Sequence, residues 1–191
     1  MGDIYFFGGI MDFISEKNLA LHKEQVGRDI LRLGILERSV PEIQTAQPRE
    51  LFRMRVRGID MRAAAELKAS ILLHRIFFDS FSDKAFAPSA AIRRRFGSER
   101  ALCELMLREG LGKRMGFAAL LRSDGGISTA VSESALEILS LGEPLLAIDL
   151  SEHAYYGDFG FDKEAYLRAA LSHLKLGIAD GDQGSTKIPR K

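Results

Sequence analysis

An α+β fold follows from a change of hydrophobic period along the chain. Up to Phe81 the apolar residues recur at helical spacing. Further on, Phe117–Arg122 and Ile127–Val131 are short apolar runs around Ser123-Asp124-Gly125-Gly126, and they read as strand, turn and strand. A third such run, Leu145–Leu150, precedes a last helical pattern. Helices first, then helices around a small sheet, is an α+β plan.

The elements follow in order. Ser15 is a helix N-cap, and Leu19, Val26, Ile30 and Leu33 form the apolar face behind it, with His22 on the same face. Val40-Pro41 and Gln47-Pro48 mark interruptions. A second helix spans 62–81, with Ala63, Leu67, Ile71, Phe77 and Phe81 near one stripe and His74 within it. Ser82 to Pro88 reads as a linker. Residues 90–114 hold two short helices divided near Phe96-Gly97-Ser98. After the three strands, Tyr166, Ala170, Leu171 and Leu174 mark a final amphipathic helix closed by Gly177, and the polar stretch from Gly181 is expected to be a mobile tail.

Composition excludes more than it assigns. The 191 residues suffice for one medium domain or two small ones, and 27 Lys+Arg stand against 26 Asp+Glu. That balance gives no global reason to expect nucleic acid or a membrane surface as partner. Cys103 is alone, so an intrachain disulfide framework is excluded, and packing is its expected role. The start, Met1-Gly2-Asp3-Ile4-Tyr5, lacks the zones of a signal peptide, and no apolar run approaches the ~20 residues that cross a bilayer. A soluble cytoplasmic protein is the expectation. Arg93-Arg94-Arg95 and the series Arg53, Arg55, Arg57, Arg62 read as solvated basic faces. Stacking aromatics are not interleaved with them, so nucleic acid is not expected there.

The segment Asp149-Leu150-Ser151-Glu152-His153-Ala154-Tyr155-Tyr156 carries the chemistry. A carboxylate stands where a buried strand meets a turn, and an imidazole follows four residues later, so both can close on one cation. His22 and His74 add two more imidazoles from apolar helix faces. Taken singly, each histidine reads as a hydrogen-bonded core residue and the aspartate as a turn-former. Three neutral nitrogens and one anionic oxygen together suit iron, manganese or zinc.

This segment resembles the C-terminal metal-binding signature of the iron/manganese superoxide dismutases, Asp-x-Trp-Glu-His-Ala-Tyr-Tyr, with Ser151 in place of the tryptophan. Residues 14–22, ending in His22, resemble the family's first-ligand helix. Leu73-His74-Arg75-Ile76-Phe77-Phe78-Asp79 resembles its second-ligand helix, and Phe96-Gly97-Ser98 and 116–122 match further stretches in the same order. The resemblance implies a helical hairpin over 1–84, then a domain over 85–180 built on a three-stranded antiparallel sheet, with 181–191 as the tail. It implies one iron or manganese ion per chain on His22, His74, Asp149 and His153. Superoxide would be the substrate and oxygen and hydrogen peroxide the products. It further implies a homodimer in which Glu152 reaches the partner's metal-binding histidine, with Tyr156 in the outer surroundings of the metal.

The chain also departs from that family. Val26, Gly27 and Ile30 replace a His-His pair and a channel tyrosine, so Tyr156 loses its histidine partner. Ser70 and Ser132 stand where a Gln or His bonds the metal-bound solvent, and Phe78, Phe117 and Ser151 stand where tryptophans line the cavity. A paralogue that keeps fold and metal without dismutation, as a binding or structural protein, is therefore the alternative. Metal-assisted hydrolysis lacks an identifiable general base. His173 matches no ligand position.

Overall fold

The structure is a computed structural model in which residues 13–82 and 89–180 are described. Helix α1 (Glu16–Ser39) starts as the sequence predicts, the Ser15 hydroxyl accepting the Asn18 N–H. It buries His22, Val26 and Leu33 on one face. The two proline interruptions hold short helices, α2 (Glu42–Thr45) and α3 (Pro48–Arg53). Pro48 fits the first turn of α3 because its missing N–H would have no helical partner there. Helix α4 (Met61–Asp79) is capped by the Asp60 carboxylate. Its Lys68 ammonium donates to the carbonyls of Ile43, Gln44 and Ala46, closing the end of α2. Leu33, Ile43, Leu51, Met61 and Ile71 fill a small core at this end.

Past residue 88 come α5 (Ala90–Phe96) and α6 (Glu99–Leu111), parted by Gly97 at φ 84° and capped at Ser98. Strands β1 (Phe117–Ser123), β2 (Gly126–Ser132) and β3 (Glu143–Asp149) form one antiparallel sheet in the order β2-β1-β3. The central strand is buried from Phe117 to Leu121. Pro144 lies on an edge strand where the register slips between Leu120 and Leu121, a place where its missing N–H does least harm.

Three features differ from the sequence reading. Helix α7 (Ala135–Leu141), between β2 and β3, was not expected. Glu66 of α4 stabilises it from a distance, accepting from the Ser134 hydroxyl and from the N–H groups of Ala135 and Leu136. The turn expected after β3 is a helix, α8 (Glu152–Phe159). Helix α9 (Lys163–Ser172) stops before Leu174, which bridges Phe81, and Gly177 lies in a 3-10 turn (Leu176–Asp180) instead of closing the helix. Backbone bonds from Lys175 to Ser80 and from Ser82 to His173 compete successfully with further helix here. The linker from 83 to 88 and the tail from 181 lie outside the described residues, and so does the expected boundary at 84/85.

The main core draws Val26 from α1, Leu73 and Phe77 from α4, the sheet, Met106 from α6 and Leu167 from α9. No helix among the described residues is long and apolar enough to cross a membrane.

Ser80, just past α4, ties that helix to the sheet edge. Its hydroxyl donates to the Ile76 carbonyl at 2.7 Å and accepts the buried Ala147 N–H of β3 at 2.9 Å. In Ser80→Ala that N–H loses its partner, which should cost about 1–3 kcal/mol. The expected result is a lower urea midpoint at unchanged slope.

Candidate metal centre

Three helices and one strand end converge on Asp149. His22 sits at 1% exposure on α1, His74 at 4% on α4, and Asp149 at 0% at the end of β3. His153, in the first turn of α8, keeps 39% of its side chain exposed. The four donor groups lie within 4.8 Å of one another. Nε2 of His22, His74 and His153 stands 3.1, 3.1 and 2.8 Å from the same oxygen, Asp149 Oδ2. The sequence-predicted donors are thus brought together.

The backbone explains how Asp149 is aimed. Oδ1 accepts the Ser151 N–H at 2.9 Å, leaving Oδ2 to the imidazoles. The Tyr166 hydroxyl donates to the Asp149 carbonyl at 2.8 Å, and Leu150 N–H donates to the Gly116 carbonyl at 2.8 Å. Gly116 has φ 96°, and a side chain there would collide with the Ser132 carbonyl, so only glycine starts β1 in this way. Helix α8 is held against α1 by Asn18, whose side-chain amide donates to the Ala154 carbonyl at 2.9 Å. The Ser15 N–H adds a bond to Asp158 at 2.8 Å. A Cβ on Gly157 would stand 2.7 Å from Asn18 Oδ1, so the missing side chain sets the approach of the two helices and the reach of His153 toward His22.

Tyr166, Asn18 and Gly157 were not legible as site residues. Tyr166 has the spacing of an ordinary core position, and nothing in the sequence distinguishes a glycine at a close helix contact from one in a loop. Ser70 differs from its expected place. Its carbonyl and hydroxyl stand 2.8 and 3.3 Å from His74 Nδ1, on the ring edge away from Asp149. Ser132 donates to Glu137 and accepts the Ser134 N–H. The Ser70 hydroxyl thus meets only the outer edge of His74, and that of Ser132 is engaged by Glu137 and Ser134. Tyr156 is 50% exposed with its ring against Phe161, and Glu152 is exposed.

Proton bookkeeping shows that these residues fit a metal ion. A carbonyl can only accept, so the short contact with Ser70 places a proton on His74 Nδ1. Whenever this ring is neutral, the lone pair of Nε2 faces Asp149 Oδ2, an acceptor facing an acceptor at 3.1 Å. His22 is in greater difficulty. Both its nitrogens are buried without a hydrogen-bond partner, for Nε2 is near Asp149 but badly aligned. A cation among the four groups resolves both conflicts. First-row metals bond such donors at about 2.0–2.2 Å, which accords with a cluster of this size.

The electrostatics point the same way. Burial alone would raise the Asp149 carboxyl, but the imidazoles of His153, His22 and His74 hold it well below its ordinary range. Burial lowers His22, and the neighbouring His74 and His153 add to that against the pull of Asp149. Burial also opposes charge on His153, but the bond and charge of Asp149, aided by Asp29, outweigh it and raise this ring. Phe77 and Phe78 lie 4.9 and 5.1 Å from the His22 ring, and Phe117 4.9 Å from His74, so the inner wall is apolar.

Fold and site define an α+β protein in which three histidines and one aspartate cluster as a candidate metal centre. The sequence profile of the iron/manganese superoxide dismutases, C-terminal domain, matches residues 84–179, and the chain belongs to the iron/manganese superoxide dismutase family. An iron superoxide dismutase of Cupriavidus metallidurans is 29% identical over 169 residues, 84% of each chain. A chloroplastic iron superoxide dismutase 2 of Oryza sativa subsp. japonica is 33% identical over 87 residues, 44% of this chain and 34% of its own length.

The raised pKa of His153 has a thermodynamic consequence. Without metal, its charged contact with Asp149 stabilises the fold fully below the ordinary histidine range, and that share is lost as pH rises through the raised value. Metal must displace this proton. Titrating the metal-free protein with manganese in buffers of different ionisation enthalpy should therefore show proton release near neutral pH. The release should shrink, and the affinity rise, as the pH is increased.

Proposed function

We propose that this chain is a superoxide dismutase-like metalloprotein that disproportionates superoxide to oxygen and hydrogen peroxide at one iron or manganese ion per chain. The observation that carries it is the convergence of three imidazole Nε2 atoms on Asp149 Oδ2, with the His74 tautomer set by Ser70. His22, His74, Asp149 and His153 hold the metal. When bound, the ion supplies a one-electron redox centre whose positive charge exceeds the single charge of Asp149, which favours an anionic substrate.

The chain's own residues account for the rest. Phe77, Phe78 and Phe117 exclude water from the inner side and strengthen every charge interaction there. Asp149 fixes the charge of the site, and Ser70 keeps the His74 proton on Nδ1, away from the ion. His153 marks the approach from solvent. Residues 1–84 and 85–180 act as a helical unit and an α+β unit, each contributing two donors.

We assign Glu152, Tyr156 and the exposed part of His153 to a homodimer face, in which Glu152 reaches the partner's His153. Phe161, 84% exposed and edge-on to Tyr156, adds apolar surface beside them. Removing the carboxylate in Glu152→Ala should weaken the dimer at least tenfold in sedimentation equilibrium. A variant that dimerises like the parent chain would exclude this face. The protein is placed in the cytoplasm.

A second reading, a paralogue that binds metal without dismutation, is favoured by one set of facts. Val26 is fully buried, Ile30 is apolar, and the hydroxyls of Ser70 and Ser132 face other partners. Proton delivery would then fall to solvent, and losing positioned acid help typically costs about 10²–10⁴-fold in rate. Superoxide decay measured with separately iron- and manganese-loaded protein separates the readings, with metal counted in the same sample. Decay proportional to bound metal and absent in His74→Ala, which should also lose metal, is the expected result. Full occupancy without rate enhancement would favour the paralogue.

A further inference from the structure

Five arginines and only two carboxylates lie between Arg49 and Arg62. Both carboxylates are already engaged by backbone. Glu50 accepts the Gln47 N–H at 2.7 Å, and Asp60 accepts the N–H groups of Arg62 and Ala63. None of the five guanidinium groups forms a salt bridge among the described residues. The chain as a whole is nearly neutral, so five arginines in this stretch are a local excess of positive charge.

The side chains are also arranged. The chain between α3 and α4 doubles back at Gly58, φ 79°, with Val56 bridging Ile59. Arg55 donates to the carbonyls of Phe52 and Met54, and the Arg62 guanidinium lies 5.2 Å from the centre of the Phe52 ring. Phe52 itself is 41% exposed. An open cavity of about 340 Å³ is lined by Arg55, Arg57 and Arg62 with Asp60, and a second of about 360 Å³ by Arg49, Arg53 and Phe52 with Glu137, whose carboxylate accepts the Ser132 hydroxyl. An exposed aromatic ring thus stands between two arginine-lined hollows. Nucleic acid was not expected here because no aromatic residue is interleaved in the series Arg53, Arg55, Arg57, Arg62. Phe52 precedes that series, and the fold brings its ring to Arg62 at the far end.

We propose that this face binds single-stranded nucleic acid, with phosphates held by Arg53, Arg55 and Arg57 and a base stacked at the Phe52–Arg62 pair. Guanidinium groups suit phosphate because their fork of donors matches two oxygens at once. An aromatic face takes any base, so the site reads strand chemistry and not sequence. Free nucleotides share that chemistry, and a strand differs by offering several phosphates to both hollows together. The site is separate from the metal centre and does not depend on dismutation.

The test uses the metal-loaded full chain and a fluorescein-labelled twelve-residue oligouridylate, followed by anisotropy over a salt series. Binding should weaken steeply with salt, by roughly 0.7 in logarithmic slope for each phosphate held. Arg53→Gln/Arg57→Gln, two exposed side chains, should lower affinity about tenfold and flatten the slope. Phe52→Ala should lower it by roughly tenfold with the slope unchanged. Metal content and superoxide decay should stay at parental values in both variants, which also reports that they are folded. Competition by uridine monophosphate at micromolar concentration would identify a free nucleotide as the ligand. Equal competition by heparin, with Phe52→Ala binding as tightly as the parent, would overturn the proposal. So would the absence of oligonucleotide binding at low salt.

Discussion

A fully buried carboxylate shared by three imidazoles is the constraint on which the rest of the molecule turns. Removing a charge from water is costly unless it is paired. Asp149 meets that demand with partners from three different helices, so α1, α4 and α8 must all arrive together. The ties that surround it serve this convergence. Ser80 pins α4 to the sheet edge, Asn18 pins α1 to α8, and Tyr166 and Gly116 hold the end of β3. Most of these groups are small or neutral. Their value lies in position, since each fixes one element against Asp149.

The same arrangement leaves the protein with unresolved polar groups unless a cation is present. His22 has two buried nitrogens without partners, and a neutral His74 ring is held in the tautomer that sets lone pair against lone pair. Families of metal sites differ in how their outer residues tune the ion, and here the tuning is sparse. One backbone carbonyl and one serine hydroxyl meet His74, while phenylalanine rings surround the inner nitrogens. A centre of this kind is defined by its ligands and its dryness more than by hydrogen bonds around it.

The helical half of the chain carries two separate pieces of physics. Its inner face delivers His22 and His74 to the centre, and its far end gathers arginines around Phe52 with a small core of its own. Lys68 spends its charge on the carbonyls at the end of α2, and burial lowers its pKa accordingly. Of the arginines nearby, Arg49 and Arg55 also donate to carbonyls, but none forms a salt bridge among the described residues, which is why their concentration is informative.

Much of this was legible in the chain itself. The period change marked the α+β plan, and the helix cap at Ser15 fell where a short hydroxyl side chain precedes an apolar repeat. The four donors were also legible, because three of only four histidines and one aspartate fall in a pattern that residue types alone can express. Helices α7 and α8 were not, since they are short and depend on distant partners: Glu66 caps one, and α1 packs the other. Ser70 was misplaced for a similar reason, as sequence gives the residue four before a histidine but not which edge of the ring it meets. The sequence determined what is local, namely period, cap and donor type, because these follow from neighbours in the chain. Only the tertiary structure decided which atom faces which, because a lone pair, a tautomer or a ring standing between two arginine-lined hollows is fixed by groups far apart in sequence and close in space.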